Sequence, residues 1–268
     1  MNEIYRIKRA IIENILSDLG RMQYTEDGQT PEYSYDAIES PYKILHYNDY
    51  AFKSAMGRLR ANETVDDILQ MLKKKGLVDK NADFNRVKFR KLSHKIIYNF
   101  LVPWLSFTPV MERLIYMLTY VKQPKNVMAI GISSGYTLAW IGSACDLNRT
   151  RIYGVEKDGL MLSIAKDNFR RYKMEQIELH CGDGLEYLNK FPDEMFDLIF
   201  IDTRKNIDIL KTAEKKLVKN GWLMQHNASD IHMVKEIKQF LDFVRDEKHF
   251  SYSVLFDVDI RGLELSVK

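Results

Sequence analysis

The apolar positions along the chain change their period near residue 105. Before it they recur at helical spacing, as in Ile4, Ile7, Ile11, Ile12, Ile15 and Leu16, with Gly20 as a stop. A turn-rich stretch follows around Thr25–Pro41, punctuated by Gly28, Pro31 and Pro41. Thr64 and Asp67 then resemble a capping box opening a helix with Val65, Ile68, Leu69 and Leu72 on one face. Lys73–Lys75 suit its C-terminal end, and Gly76 ends it. A further helix is predicted over Ser93–Leu101, and Pro103 and Pro109 mark a boundary. Residues 1–104 therefore read as a mainly helical extension.

From Val110 strands and helices alternate. The pattern predicts helices over Val110–Val121, Tyr136–Ser143, Leu160–Arg171, Ile207–Leu217 and Ile231–Val244. Between them it predicts strands at Asn126–Ile130, Arg151–Val155, Ile177–His180, Asp197–Ile201 and Trp222–His226. The fourth strand is nearly all apolar, as suits burial on both faces. Ser251–Val258 and Leu263–Val267, joined through Gly262, read as a closing hairpin. Alternation of this kind builds a parallel α/β sheet, here over residues 105–268.

The 268 residues carry 40 Lys and Arg against 37 Asp and Glu, a net charge of +3 that does not by itself call for nucleic acid. Two cysteines, Cys145 and Cys181, make no disulfide framework, so a reducing, cytoplasmic setting is expected. The charges in MNEIYRIKRAIIENIL break any signal-peptide core, and no run of 18 uncharged apolar residues calls for a membrane span.

Four elements carry candidate chemistry. Val127–Thr137 runs a strand into Gly131 and opens a helix at Gly135, offering backbone N–H groups to an anion. Its Gly-x-x-x-Gly spacing differs from the Gly-x-Gly-x-x-Gly of dinucleotide binders. Glu156 ends the second strand, 25 residues after Gly131, where a carboxylate can accept both ribose hydroxyls. Cys181-Gly-Asp-Gly184 can meet an adenine amine through Asp183, or be an ordinary turn. Phe196–Asp202 brings Asp202 to the carboxyl end of a central strand.

In this order the four motifs resemble the class I methyltransferases that use S-adenosylmethionine (SAM). "IGISSGYTL" and "FDLIFIDTRKN" are most similar to the catechol and caffeoyl-CoA O-methyltransferase branch. The resemblance implies a Rossmann-like seven-stranded α/β sheet with a terminal antiparallel hairpin. It implies SAM as cofactor, with Gly131, Ser133, Gly135, Tyr136 and Thr137 at the methionine end. Glu156, with Lys157 beside it, falls at the ribose, Asp183 and Gly184 at the adenine, and Asp202 at the inner edge of the same site. In that branch a divalent metal is held by one Asp and a later Asp-Asn pair. Asp202 and Asn227 match, but His226 replaces the second Asp, which weakens the case for magnesium. Asp202, His226 and Lys205 are then the candidate catalytic residues. His226 is a general base or a structural histidine, and Lys205 an acceptor-side cation or a solvated one.

The resemblance further implies a small hydroxylated aromatic acceptor, with the N-terminal helices capping it and building a homodimer. Tyr33, Tyr35, Tyr42, Tyr47 and Tyr50 either wall that pocket or pack the extension. The basic run Arg86–Lys95 meets a phosphate, or is the solvated face of a helix. A narrower resemblance, to pyridinol C-methyltransferases of guanylylpyridinol cofactor biosynthesis, would give it a nucleotide-linked substrate. Nucleic-acid methylation, a non-catalytic SAM-binding protein and a dehydrogenase are the rival readings. The low net charge disfavours the first, and the glycine spacing the last.

Overall fold

The computed structural model describes residues 64–102, 107–203, 206–229, 234–258 and 261–268. The expected boundary at 104, Lys205 and the tyrosine-rich stretch lie outside them. Residues 64–74 form α1. Thr64, read as a cap, is already helical there. Gly76, at φ +71°, closes α1 by donating its N–H to Lys73, while Leu77 N–H returns to Leu72. Helix α2 (Arg86–Asn99) starts seven residues before the expected Ser93, because Asn85 caps it through the Lys88 N–H at 2.8 Å. Its basic residues stand on the wet side. Lys88, Arg90, Lys91 and Lys95 are exposed, whereas Phe89 and Ile96 are buried. Arg86 is held by Asp66 and Asp83.

Helix α3 (Pro109–Lys122) is capped by Thr108, with proline in its first turn, where its missing N–H costs nothing. Then come β1 (Asn126–Ile130), α4 (Tyr136–Ala144), β2 (Arg151–Glu156), α5 (Gly159–Tyr172) and β3 (Glu178–Cys181). They are followed by α6 (Gly184–Leu188), β4 (Phe196–Ile201), α7 (Ile207–Lys216), β5 (Leu217–His226), α8 (Val234–Val244), β6 (Tyr252–Phe256) and β7 (Leu263–Val267). The sheet runs β3-β2-β1-β4-β5-β7-β6. Strands β1 to β5 pair in parallel, and β7 inserts antiparallel between β5 and β6. This is the expected seven-stranded α/β sheet with its terminal hairpin.

Two layers of core sandwich the sheet. On one face Trp140, Leu138 and Phe169 meet Leu114 and Met117 of α3, and Val65, Leu69, Phe89 and Phe100 from α1 and α2 and their ends extend the same cluster. On the other, Met128, Ile130, Ile199 and Ile201 pack on Leu210, Phe240 and Val244. Alternate residues of each central strand feed the two layers, so these strands tolerate few polar positions. The order reverses beside β1, so the carboxyl ends of β2, β1, β4 and β5 open onto one crevice, the usual ligand position in such sheets. No helix among the described residues is long and apolar enough to cross a membrane.

Candidate active site

The glycine turn after β1 is fixed from three sides. Gly131 donates its N–H to Val155 of β2 at 2.9 Å, and Asp202 donates its own to Ile130 at 2.9 Å. Gly131 sits at φ +80°, and a Cβ there would lie 2.3 Å from the Asp202 carbonyl oxygen. The sequence suggested that glycine makes room for a ligand. The structure shows that it makes room first for the loop leaving β4. Gly135, at φ +82°, stands at the cap of α4 and, among the described residues, no side chain caps that helix end, whose N–H groups are of the kind that favour an anion. Tyr136 and Thr137 start the helix and are buried, whereas Ser133 is exposed at φ +48°.

Glu156 lies across from this turn. One of its carboxylate oxygens accepts from Ser133 N–H at 2.7 Å, the other from Asp158 N–H at 3.0 Å. Those two bonds set the carboxylate's plane beside the turn. Lys157 is exposed. Asp183, expected at the adenine or in an ordinary turn, caps the short helix α6 by accepting from Leu185 and Glu186 N–H. Gly184 packs against β1, where a Cβ would meet Ile130 Cγ2 at 2.4 Å.

On the other side of β1, Asp202 and His226 come together from the ends of β4 and β5. His226 Nδ1 lies 3.1 Å from Asp202 Oδ1, and the imidazole is buried. Asn227, at φ +58°, donates its amide N–H to the same oxygen at 2.7 Å. Its carbonyl oxygen accepts from Arg261 Nη1 at 3.2 Å. Among the described residues no group of three or more His, Cys, Asp and Glu is placed to hold a metal ion.

Four residues of this region were not singled out from the sequence. Phe107 sets its ring edge-on to His226, centroids 4.5 Å apart. Glu112, buried in α3, accepts from the Tyr136 hydroxyl at 2.6 Å, and burial pushes its carboxyl up to about 8. Asn168, also buried, ties Leu101 to the turn by donating to Leu101 and Ser134. Arg261 reaches Asn227 from the β6–β7 connection. Only Glu112 left a trace, as a carboxylate inside the apolar run Val110–Leu118.

Residues 128–228 match the family model described as "Methyltransferase domain". A catechol O-methyltransferase of Niastella koreensis is 28% identical over 108 residues, 39% of this chain and 48% of that protein. The chain thus matches about half the length of this curated relative. Among solved structures, the O-methyltransferase of Bacillus cereus in complex with S-adenosylhomocysteine (SAH) superposes with a TM-score of 0.54 at 19% identity, covering 74% of this chain and 96% of that one. An O-methyltransferase of tomaymycin synthesis from Streptomyces achromogenes, bound to SAM, gives 0.52 at 18% identity over 70% and 91%. The SAH-bound methyltransferase of Podospora anserina gives 0.56 at 17% identity over 76% and 95%. Together with the strand order and the crevice at the ends of β2, β1, β4 and β5, these matches show a methyltransferase domain at residues 128–228, similar in sequence to a catechol O-methyltransferase and in fold to methyltransferases that bind SAM or SAH.

Proposed function

We propose that the protein transfers the methyl group of SAM to a small hydroxylated aromatic acceptor. The observation that carries this reading is the alignment of Glu156, the Gly131–Gly135 turn, Asp202 and His226 along one crevice. The residues fit the cofactor. The N-terminal end of α4 suits its carboxylate, and Glu156, held by two N–H groups beside the turn, suits the ribose. Lys157, Asp183 and Gly184 complete that side, with Asp183 shared between the adenine and its capping bonds. SAM supplies an electrophilic methyl group, so the protein's work is alignment, exclusion of water and removal of one proton.

His226 takes that proton in this reading. With Nδ1–H given to Asp202, the basic nitrogen of the ring is Nε2. The acceptor's oxygen, or the ring carbon beside it, attacks the methyl carbon as the sulfur–carbon bond breaks, leaving SAH and a protonated imidazole that Asp202 stabilises. Lys205, three residues beyond Asp202, is proposed as the acceptor-side cation. The narrowest form of the reading is C-methylation of a nucleotide-linked pyridinol, with the exposed cations of α2 taking the phosphate and the protein working as a homodimer.

The test is turnover of catechols and hydroxypyridines, free and nucleotide-linked, by wild type and His226→Ala. The reading expects methylated product from at least one acceptor and a loss of 10²-fold or more in kcat for the variant. Tight SAM binding with no product from any acceptor would assign the chain to the non-catalytic alternative.

A further inference from the structure

The corner around Asp202 departs from the metal-binding pattern in a second way, beyond the imidazole of His226. A divalent cation held there would need the Asn227 carbonyl oxygen turned towards it, because hard cations take oxygen donors. Asn227 is turned the other way. Its amide N–H faces Asp202 at 2.7 Å and its oxygen faces Arg261 at 3.2 Å. A guanidinium has only donors and a carboxylate only acceptors, so two oppositely charged neighbours dictate a single orientation for the neutral amide between them. Reversing the amide would set N–H against N–H at Arg261 and oxygen against oxygen at Asp202.

The backbone holds this arrangement in register. Beyond the end of β5, Ser229 donates its N–H to the Arg261 carbonyl at 2.9 Å, and Ala228 donates to Gly262 at 3.4 Å. The turn before β7 is therefore laced to the segment that carries Asn227. Gly262 is packed so closely that a Cβ would lie 2.5 Å from Ser229 Oγ.

We propose that Arg261 is a positioning residue that, through Asn227, makes the Asp202–His226 corner a metal-independent base site. The inference rests on the reading of that corner as the acceptor end of the crevice. Asp202 is then committed to orienting His226, and Arg261 works by fixing which end of Asn227 meets Asp202.

The experiment is calorimetric titration of Mg²⁺ into the full-length protein after a first titration with SAH. It uses wild type, His226→Asp, the double variant His226→Asp/Arg261→Ala and, as a conservative control, His226→Asp/Arg261→Lys. Wild type is expected to take up no stoichiometric Mg²⁺. His226→Asp restores a second carboxylate and should bind weakly. Removing Arg261 in that background frees the amide to reverse and should tighten binding tenfold or more, while Arg261→Lys should stay near the single variant. One-to-one Mg²⁺ uptake by wild type that disappears in Asp202→Asn would overturn the proposal without any further variant. Equal affinities for the single and double variants would overturn it too. The SAH step reads separately. Absence of its heat would sink the methyltransferase reading, whereas the Mg²⁺ heats report on the corner alone.

Discussion

Tyr136 donates its hydroxyl to Glu112 at 2.6 Å, and both side chains are buried. This bond joins α3 to the first residue of α4, directly behind the glycine turn. Phe107, two residues before α3, packs on His226. This helix and the residue two positions before it thus brace the glycine turn and the Asp202–His226 corner at once. Tyr136→Phe removes the one hydrogen bond that the Glu112 carboxyl makes through its side chain among the described residues, so a loss of about 1–3 kcal/mol in unfolding free energy is expected. Urea denaturation at pH 7 measures it.

The same pair gives a pH dependence. Burial raises the Glu112 carboxyl to about 8, so the folded state keeps a proton that the unfolded chain releases near 4.5. The unfolded state then binds fewer protons between these values, and its contribution to stability falls as pH rises from about 4.5 to 8, levelling above. Glu112→Gln is expected to flatten the slope of unfolding free energy over this window. An unchanged slope would place the proton elsewhere.

Two glycines make a matched test of backbone against space. Gly131→Ala forces a Cβ to 2.3 Å from the Asp202 carbonyl at φ +80°, and backbone cannot step aside. It is expected to cost about 2 kcal/mol or more and to abolish SAH binding. Gly159→Ala, in the first turn of α5, meets nothing nearer than Cys181 Sγ at 3.9 Å. There the loss of glycine's freedom in the unfolded chain predicts a gain of about 0.4–1 kcal/mol. Thermal melts of the two variants side by side decide between these signs.

The closing hairpin has its own brace. Glu264 on β7 is fully buried and accepts from Arg245 and Ser253. Arg245→Met leaves a buried carboxylate short of its cation, with an expected loss of about 3–5 kcal/mol. The double change Arg245→Met/Glu264→Leu removes both charges and should recover most of it. Chemical denaturation of the three proteins measures the coupling. A double variant no more stable than the single would mean that the pair does not set the hairpin's stability.

Where local signals agreed, the sequence was sufficient. Asn126–Ile130 and Leu263–Val267 are strands to the residue, because Pro124 and Gly131 bound the first and Gly262 precedes the second. Where polar residues masked an element it was not. Arg86–Lys91 show no apolar stripe, and the cap at Asn85 was the one usable signal for the start of α2. Gly-Asp-Gly reads as a turn, yet Asp183 with Leu185 and Leu188 opens a helix. Strand β5 begins at Leu217 rather than Trp222, because Lys219-Asn220-Gly221 looks like a break while the pairing shifts register across it. In the site, strand ends brought Glu156, Gly131, Asp202 and His226 to one crevice, which the alternation of elements implies. The partners Glu112, Asn168 and Arg261 come from distant parts of the chain, and no local spacing reveals them.

The central claim, that the crevice across β2, β1 and β4 takes SAM with Glu156 at the ribose, is tested most directly by calorimetric titration of SAH into wild type and Glu156→Ala. The account predicts one-to-one binding in the micromolar range for wild type and a loss of tenfold or more in the variant. Absence of binding to wild type, with and without Mg²⁺, or unaltered binding to a folded Glu156→Ala, would contradict it.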